Sequence, residues 1–115
     1  MRVTTDFWVS ALMRRAFAAG GFATVAKRGS PEAGAVLLIL RDRFGTVRLF
    51  APAPQASYGD ARPEERLFVE IPHEGDETEV EKRIERELRF DPDLWLVEIE
   101  TDEETFAKLL GITTP

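Results

Sequence analysis

The chain of 115 residues contains no cysteine. Disulfides, thiolate metal centres and cysteine nucleophiles are therefore excluded, and a reducing cytosol suits the composition. Histidine occurs once, at His73. A serine–histidine relay would have to use it, yet none of Ser10, Ser30 or Ser57 sits in a G-x-S-x-G turn. Long apolar runs are missing too. The longest, Ala35 to Leu40, is far too short to cross a bilayer. Arg2 is followed by polar Thr4, Thr5 and Asp6 rather than by the apolar core of a secretory leader. No membrane partner is expected, and internal repeats, low-complexity tracts and interdomain linkers are not visible.

What is present reads as globular. Hydrophobic residues make up 43% of the chain and charged residues 31%, and the length suits one domain over 1–115. The net charge of −6 is unevenly spread. Residues 1–66 carry ten Lys/Arg against six Asp/Glu, and residues 67–115 carry five against fifteen. An acidic surplus disfavours nucleic acid unless basic groups gather on one face. Lys27, Arg41, Arg43 and Arg48, with Phe44, Phe50 and Tyr58, make only a faint stacking platform, and most of those phenylalanines are needed in a core. The asymmetry instead predicts a basic sheet edge beside an acidic helix, with internal ion pairs between them.

Apolar spacing gives the elements. Trp8, Leu12 and Ala16, with Val9, Met13 and Phe17, form one stripe and predict a helix over Asp6 to Ala19, capped by Thr5 or Asp6 and left through Gly20-Gly21. Arg14 and Arg15 project from the other side. Phe22 to Arg28 reads as a strand and Gly29 to Gly34 as a turn. Ala35 to Leu40 is apolar at every position, which predicts a central strand covered on both faces. Arg41 to Gly45 turns the chain into a hairpin whose second arm is Thr46 to Ala51, with Val47, Leu49 and Ala51 inward. Pro52 to Glu65 reads as loop and Leu67 to Ile71 as a short strand. Asp76 to Phe90 is a second helix with a narrow stripe of Val80, Ile84 and Leu88, its start marked by the capping-box spacing of Asp76 and Glu79. Leu94 to Glu100 is a fifth strand. Thr101 and Glu104 repeat the capping-box spacing ahead of a short helix carrying Phe106, Leu109 and Leu110 and stopping at Gly111. The order α-β-β-β-β-α-β-α, with two strands covered on both faces, predicts an α+β fold: a roughly five-stranded, largely antiparallel, twisted sheet with helices on both faces.

Chemistry-bearing residues are sparse. His73 with Glu70, Glu74, Asp76 or Glu77 could ligate a metal, but the calcium-loop pattern is not there. Gly20-Gly21 leaves a helix, so its orphan groups are carbonyls that repel anions. The Gly29–Gly34 turn could offer N–H groups to an anion beside Arg28. Asp91 and Asp93 flank Pro92 and could share a proton or hold a cation; equally, aspartates beside proline bond nearby N–H groups and shape the turn. No cofactor and no native metal is implied by these patterns, and no catalytic set stands out.

Four stretches resemble a known family: Trp8-Val9-Ser10-Ala11-Leu12; Arg28-Gly29 ahead of Ala33-Gly34-Ala35-Val36; Pro52-Ala53-Pro54-Gln55; and Arg89-Phe90-Asp91-Pro92-Asp93-Leu94-Trp95. The chain is similar over nearly its whole length to the bacterial domain-of-unknown-function family numbered 1491, the last stretch being the most specific. The resemblance implies a bacterial, cytoplasmic, stand-alone domain and no assigned activity. Its polar positions nominate Arg28, Gln55, Tyr58, Asp91 and Asp93 as a binding site if their loops converge. The competing expectation is that Arg28 pairs with Asp91 or Asp93 and the loops only lock one another. Two functions follow. One is a non-enzymatic module that binds or regulates another protein; the other is a small-molecule or enzymatic site on those five residues. A homodimer through a sheet edge is open to this pattern but not required by it.

Overall fold

The computed structural model describes residues 3–53, 66–72 and 77–112. Helix α1 spans Thr5–Ala18 and strand β1 Phe22–Lys27. Strands β2 (Val36–Arg41), β3 (Val47–Pro52) and β4 (Leu67–Ile71) follow, then α2 (Glu77–Phe90), β5 (Trp95–Glu100), α3 (Glu103–Leu109) and the two-residue β6 (Gly111–Ile112). The expected order holds, with β6 added at the end.

All six strands form one sheet in the order β1-β5-β2-β3-β4-β6. Three ladders are antiparallel (β1–β5, β2–β3 and β3–β4), while β2–β5 and β4–β6 are parallel. The expected hairpin is β2–β3, turning through Gly45 at φ +84°. The doubly covered strands are β2 and β5, side by side in the sheet. Alternation along them fills two separate cores. Val36, Leu38, Leu40, Trp95, Val97 and Ile99 face α1 and α3 and pack with Leu12, Ala16 and Phe106. Leu37, Ile39 and Leu96 face α2 and pack with Val80, Ile84 and Leu88. Helices therefore cover both faces, as the run of six apolar residues demanded.

Local details differ from expectation. The N-cap of α1 is Thr4, whose hydroxyl accepts from Phe7 N, not Thr5 or Asp6. Thr5 is buried instead; its hydroxyl donates to Gly34 O and accepts from Arg66. The cap of α3 is Asp102, which accepts from Thr105 N; the Thr101–Glu104 spacing pointed one residue early. Asp76 lies outside the described residues. Phe50 was placed on the outer side of β3 but is buried against Phe106, ring centroids 4.8 Å apart, because both faces of this sheet are covered. Phe17, counted in the α1 stripe, is exposed at the helix end.

The charge asymmetry resolves as ion pairs, but from the middle of the sheet rather than its edge. Arg41 on β2 binds Glu77 at 2.7 Å and also Glu98; Arg48 on β3 binds Glu70 and Glu103, each at 2.8 Å. Hydrogen bonds donated to Glu77 and then to Glu98 hold the Arg41 guanidinium more firmly protonated than usual. Those donated to Glu70 chiefly do the same for Arg48, with burial opposing in both cases. Both arginines come from the basic part of the chain and all four carboxylates from the acidic part.

Candidate functional site

The Gly29–Gly34 turn lies between the start of α1 and the 91–94 turn, and it is bound on both sides. Toward α1, the first orphan N–H groups of the helix donate to its carbonyls: Thr5 N to Glu32 O at 3.1 Å and Asp6 N to Pro31 O at 2.8 Å. The helix N-terminus is thereby capped by tertiary structure. Toward β5, Ser30 N donates to Asp93 O at 2.9 Å, and the Trp95 indole N–H donates to Ser30 O at 2.7 Å. Gly34 N closes the turn onto Ser30 O. Of the turn's N–H groups, those of Ser30 and Gly34 are thus already used and not free for an anion.

Glycine at both ends of this turn is explained by crowding, not by backbone angle. A Cβ at Gly29 would lie 2.7 Å from both the Leu94 carbonyl carbon and Trp95 Cδ1, and against Asp93 O. At Gly34 it would lie 2.6 Å from Asp93 O. The backbones of the two turns are in direct contact because neither glycine carries a side chain.

Of the nominated residues, Arg28, Asp91 and Asp93 fall at this junction, while Gln55 and Tyr58 lie outside the described residues. Arg28 does not pair with Asp91 or Asp93. Its guanidinium binds Asp6 at 2.9 Å and lies over the Trp95 ring, 4.9 Å from the centroid. Asp91 is spent on the turn itself, its carboxylate accepting from Asp93 N at 3.1 Å. The Asp93 side chain is exposed. The loops do lock one another, as one expectation held, but through backbone and through a residue that expectation did not include. The Lys27 ammonium sits on three carbonyls, those of Pro92 (2.9 Å), Leu94 (3.1 Å) and Arg28 (3.3 Å). Nothing in the spacing of Lys27 marked it out.

Elsewhere a shallow groove of about 160 Å³ runs between α2 and the sheet, lined by Leu49, Ile71, Pro72, Val80, Glu79, Arg83 and Arg86. Of the proposed metal ligands, Glu70 and Glu77 are already paired with arginine. His73, Glu74 and Asp76 lie outside the described residues. Among the described residues no three carboxylate or imidazole groups gather closely enough to hold a metal ion.

The exposed apolar groups are more distinctive than the polar ones. Five of the eight phenylalanines are more than half exposed: Phe7 (66%), Phe17 (51%), Phe22 (64%), Phe44 (79%) and Phe90 (92%). Phe17 and Phe22 touch edge to face, ring centroids 6.3 Å apart, at the corner where α1 gives way to β1. Phe44 sits at the tip of the β2–β3 hairpin beneath Arg43. Of the two phenylalanines set among basic residues in the sequence and counted toward the core, Phe50 is buried and Phe44 is not.

Comparison with known proteins adds a family and a fold. Residues 3–108 match the family described as "Protein of unknown function (DUF1491)". A protein from A. tumefaciens, solved in solution, is 45% identical with a TM-score of 0.82, the match covering 100% of this chain and 98% of that one. A crystal structure of a DUF1491 family protein from Caulobacter crescentus CB15 is 40% identical with a TM-score of 0.76, covering 96% and 99%. An NMR structure of a DUF1491 family protein from the same bacterium gives 0.77 at 40% identity, covering 98% of each chain. Among curated proteins, none matches the chain.

Proposed function

The chain belongs to the family DUF1491, and from that premise we propose that it is a non-enzymatic module that binds or regulates another protein in the bacterial cytoplasm. The observation that carries this reading is the exposure of five of its eight phenylalanines. Burying one such side chain stabilises a protein by about 1.5–3 kcal/mol, so leaving five in water forgoes much of what folding could gain. Exposed aromatic groups are the anchors that protein interfaces use. The polar residues at the 28–34 and 91–94 turns support it from the other side, since most of their hydrogen-bonding capacity goes into holding the fold. Among the described residues no helix is long and apolar enough to cross a membrane. The two relatives' sources, A. tumefaciens and Caulobacter crescentus, favour the bacterial setting. The test is crosslinked capture from the source cells, using the wild-type chain beside Phe7→Ser and Phe44→Ser. A partner held by the wild type and lost with one of these exposed variants is expected. Beads carrying only chaperones would count against the reading.

One observation favours a second reading, a small-molecule site. The Arg28 turn and the Asp91–Asp93 turn meet, and Arg28 and Asp93 both reach solvent there. An arginine over an indole, with a carboxylate nearby, suits a planar or anionic ligand, and Gln55 and Tyr58 would complete the site. A thermal-shift screen of nucleotides, metabolites and divalent metals decides this, with Arg28→Ala and Asp93→Asn as controls. Ligand at a hundredfold over Kd adds about 2.7 kcal/mol. A flat screen would set this reading aside.

A further inference from the structure

Among the described residues, the sheet has one long edge strand with no neighbour on its outer side. β1 ends it on one side, whereas the other side ends in the two-residue β6. An edge strand presents a row of unpaired N–H and C=O groups, and proteins commonly guard it with charge or proline. β1 has neither between Phe22 and Ala26. Its final residue, Lys27, is turned onto the carbonyls of Pro92 and Leu94 rather than standing guard. The α2 side of β1 is bare as well. Ala23 and Val25 join the α1 core, while Phe22, Thr24 and Ala26 are exposed and no β1 residue takes part in the α2 core.

The two ends of this edge match each other. Phe22 stands at one end, backed by Phe17, with exposed Glu100 opposite it on β5. At the other end Lys27 grips the 91–94 turn, and just ahead of that turn come exposed Arg89 and Phe90. One end thus has an aromatic ring beside an acidic group, and the turn held at the other end directly follows an exposed aromatic and an exposed basic residue. Such an edge is complementary to itself turned end for end.

We propose that β1 pairs antiparallel with β1 of a second copy of this chain about a two-fold axis at Thr24, so that Phe22 of each copy packs beside Phe90 of the other and Glu100 faces Arg89. The register sets Thr24 opposite Thr24, Phe22 opposite Ala26 and Ala23 opposite Val25, so the large ring meets a small neighbour and the central threonines can bond across the strands. The bulge at Ala26 makes the Phe22–Ala26 pair the last at each end. Because the interface is isologous, each contact is made twice and the assembly closes at two. The inference rests on the module reading in treating exposed phenylalanines as contact surface, and it names a second copy as the partner for this edge.

Sedimentation equilibrium of the full chain over a wide concentration range tests it. Wild type is expected to reach dimer mass. Thr24→Lys, which sets like charges across the axis, should raise the dissociation constant by roughly tenfold or more with an unchanged circular dichroism spectrum. Phe22→Ser and Phe90→Ser should each weaken the dimer, and the double variant should weaken it by less than the two separate effects combined. A wild type that stays at monomer mass throughout, or a dimer indifferent to Thr24→Lys, would overturn the pairing. Neither result touches the module reading, which stands or falls on capture of a different protein through Phe7 or Phe44.

Discussion

Replacing Gly29 by alanine isolates the contact between the two turns. Gly29 needs no unusual backbone angle, so the cost is purely one of space. The added methyl meets Asp93 O, the Leu94 carbonyl carbon and the edge of fully buried Trp95. Backbone cannot swing aside as a flexible side chain could, so relief requires the 91–94 turn to back away. Overpacking of this kind costs about 1–3 kcal/mol. Moving the turn also loosens the Ser30 N to Asp93 O bond, worth about 0.5–1.5 kcal/mol. The combined expectation is about 1.5–4.5 kcal/mol, or a fall in Tm of about 6–18 °C at roughly 4 °C per kcal/mol for this size. Gly45→Ala is the matched control. There φ is +84° and nothing lies within 4 Å, so only backbone strain of about 1–2 kcal/mol is added. Urea titration and thermal melts of both variants give the comparison. If Gly29→Ala proves no more destabilising than Gly45→Ala, the two turns are not in the contact described and the reasoning fails.

Three further outcomes follow from the geometry. Phe106→Ala, which empties space beside Phe50 and the β2–β5 centre, should cost about 3–5 kcal/mol in urea unfolding. Arg48→Met, which removes the link from β3 to Glu70 and Glu103, should cost about 1 kcal/mol in dilute buffer and less in 1 M salt, since these pairs are partly exposed. The Asp102 carboxyl is held below its ordinary 3.8 by the Thr105 N–H it accepts at the start of α3. Its folded value is depressed, so its contribution is fully present above pH 3.8 and is lost as pH falls through the lower folded value. Asp102→Ala should therefore melt earlier than wild type at pH 7, with the gap closing below pH 3.8.

The elements that were legible in the sequence are those whose period is set by burial. β2 shows six apolar residues because both its faces are covered, and α2 shows Val80, Ile84 and Leu88 because only one stripe of it touches the sheet. Strand order was not legible. Periodicity says which face of β5 is buried but not that its neighbours are β1 and β2, nor that the β2–β5 ladder is parallel. The caps erred by a residue at Thr4 and Asp102 because several acceptors stand together at each helix start and only geometry selects among them. At the candidate site, the glycines at 29 and 34 marked a turn, but neither the close approach that requires them nor its partners was legible. Asp6 and Lys27 are distant in sequence from the residues they bind, and nothing in their neighbourhoods advertises it. Phe17 and Phe44 were misread as inward-facing for a simple reason. Hydrophobicity measures what a side chain gains by burial, and says nothing of whether this chain alone provides the cover.

The position of β5 has a consequence for synthesis. β1 emerges from the ribosome early, yet its ladder partner is among the last strands made: Phe22 must wait for Glu100, and Val36 for Trp95. Until then the nascent chain can form the local β2–β3 hairpin, while the middle of its sheet stays open and the apolar run at 36–40 lacks one of its two neighbours. Completion of the fold is thus deferred until β5 has emerged, with the closing of long loops as its slow step. A ribosome stalled before Leu94 should carry a chain that trigger-type chaperones hold and proteases readily cut.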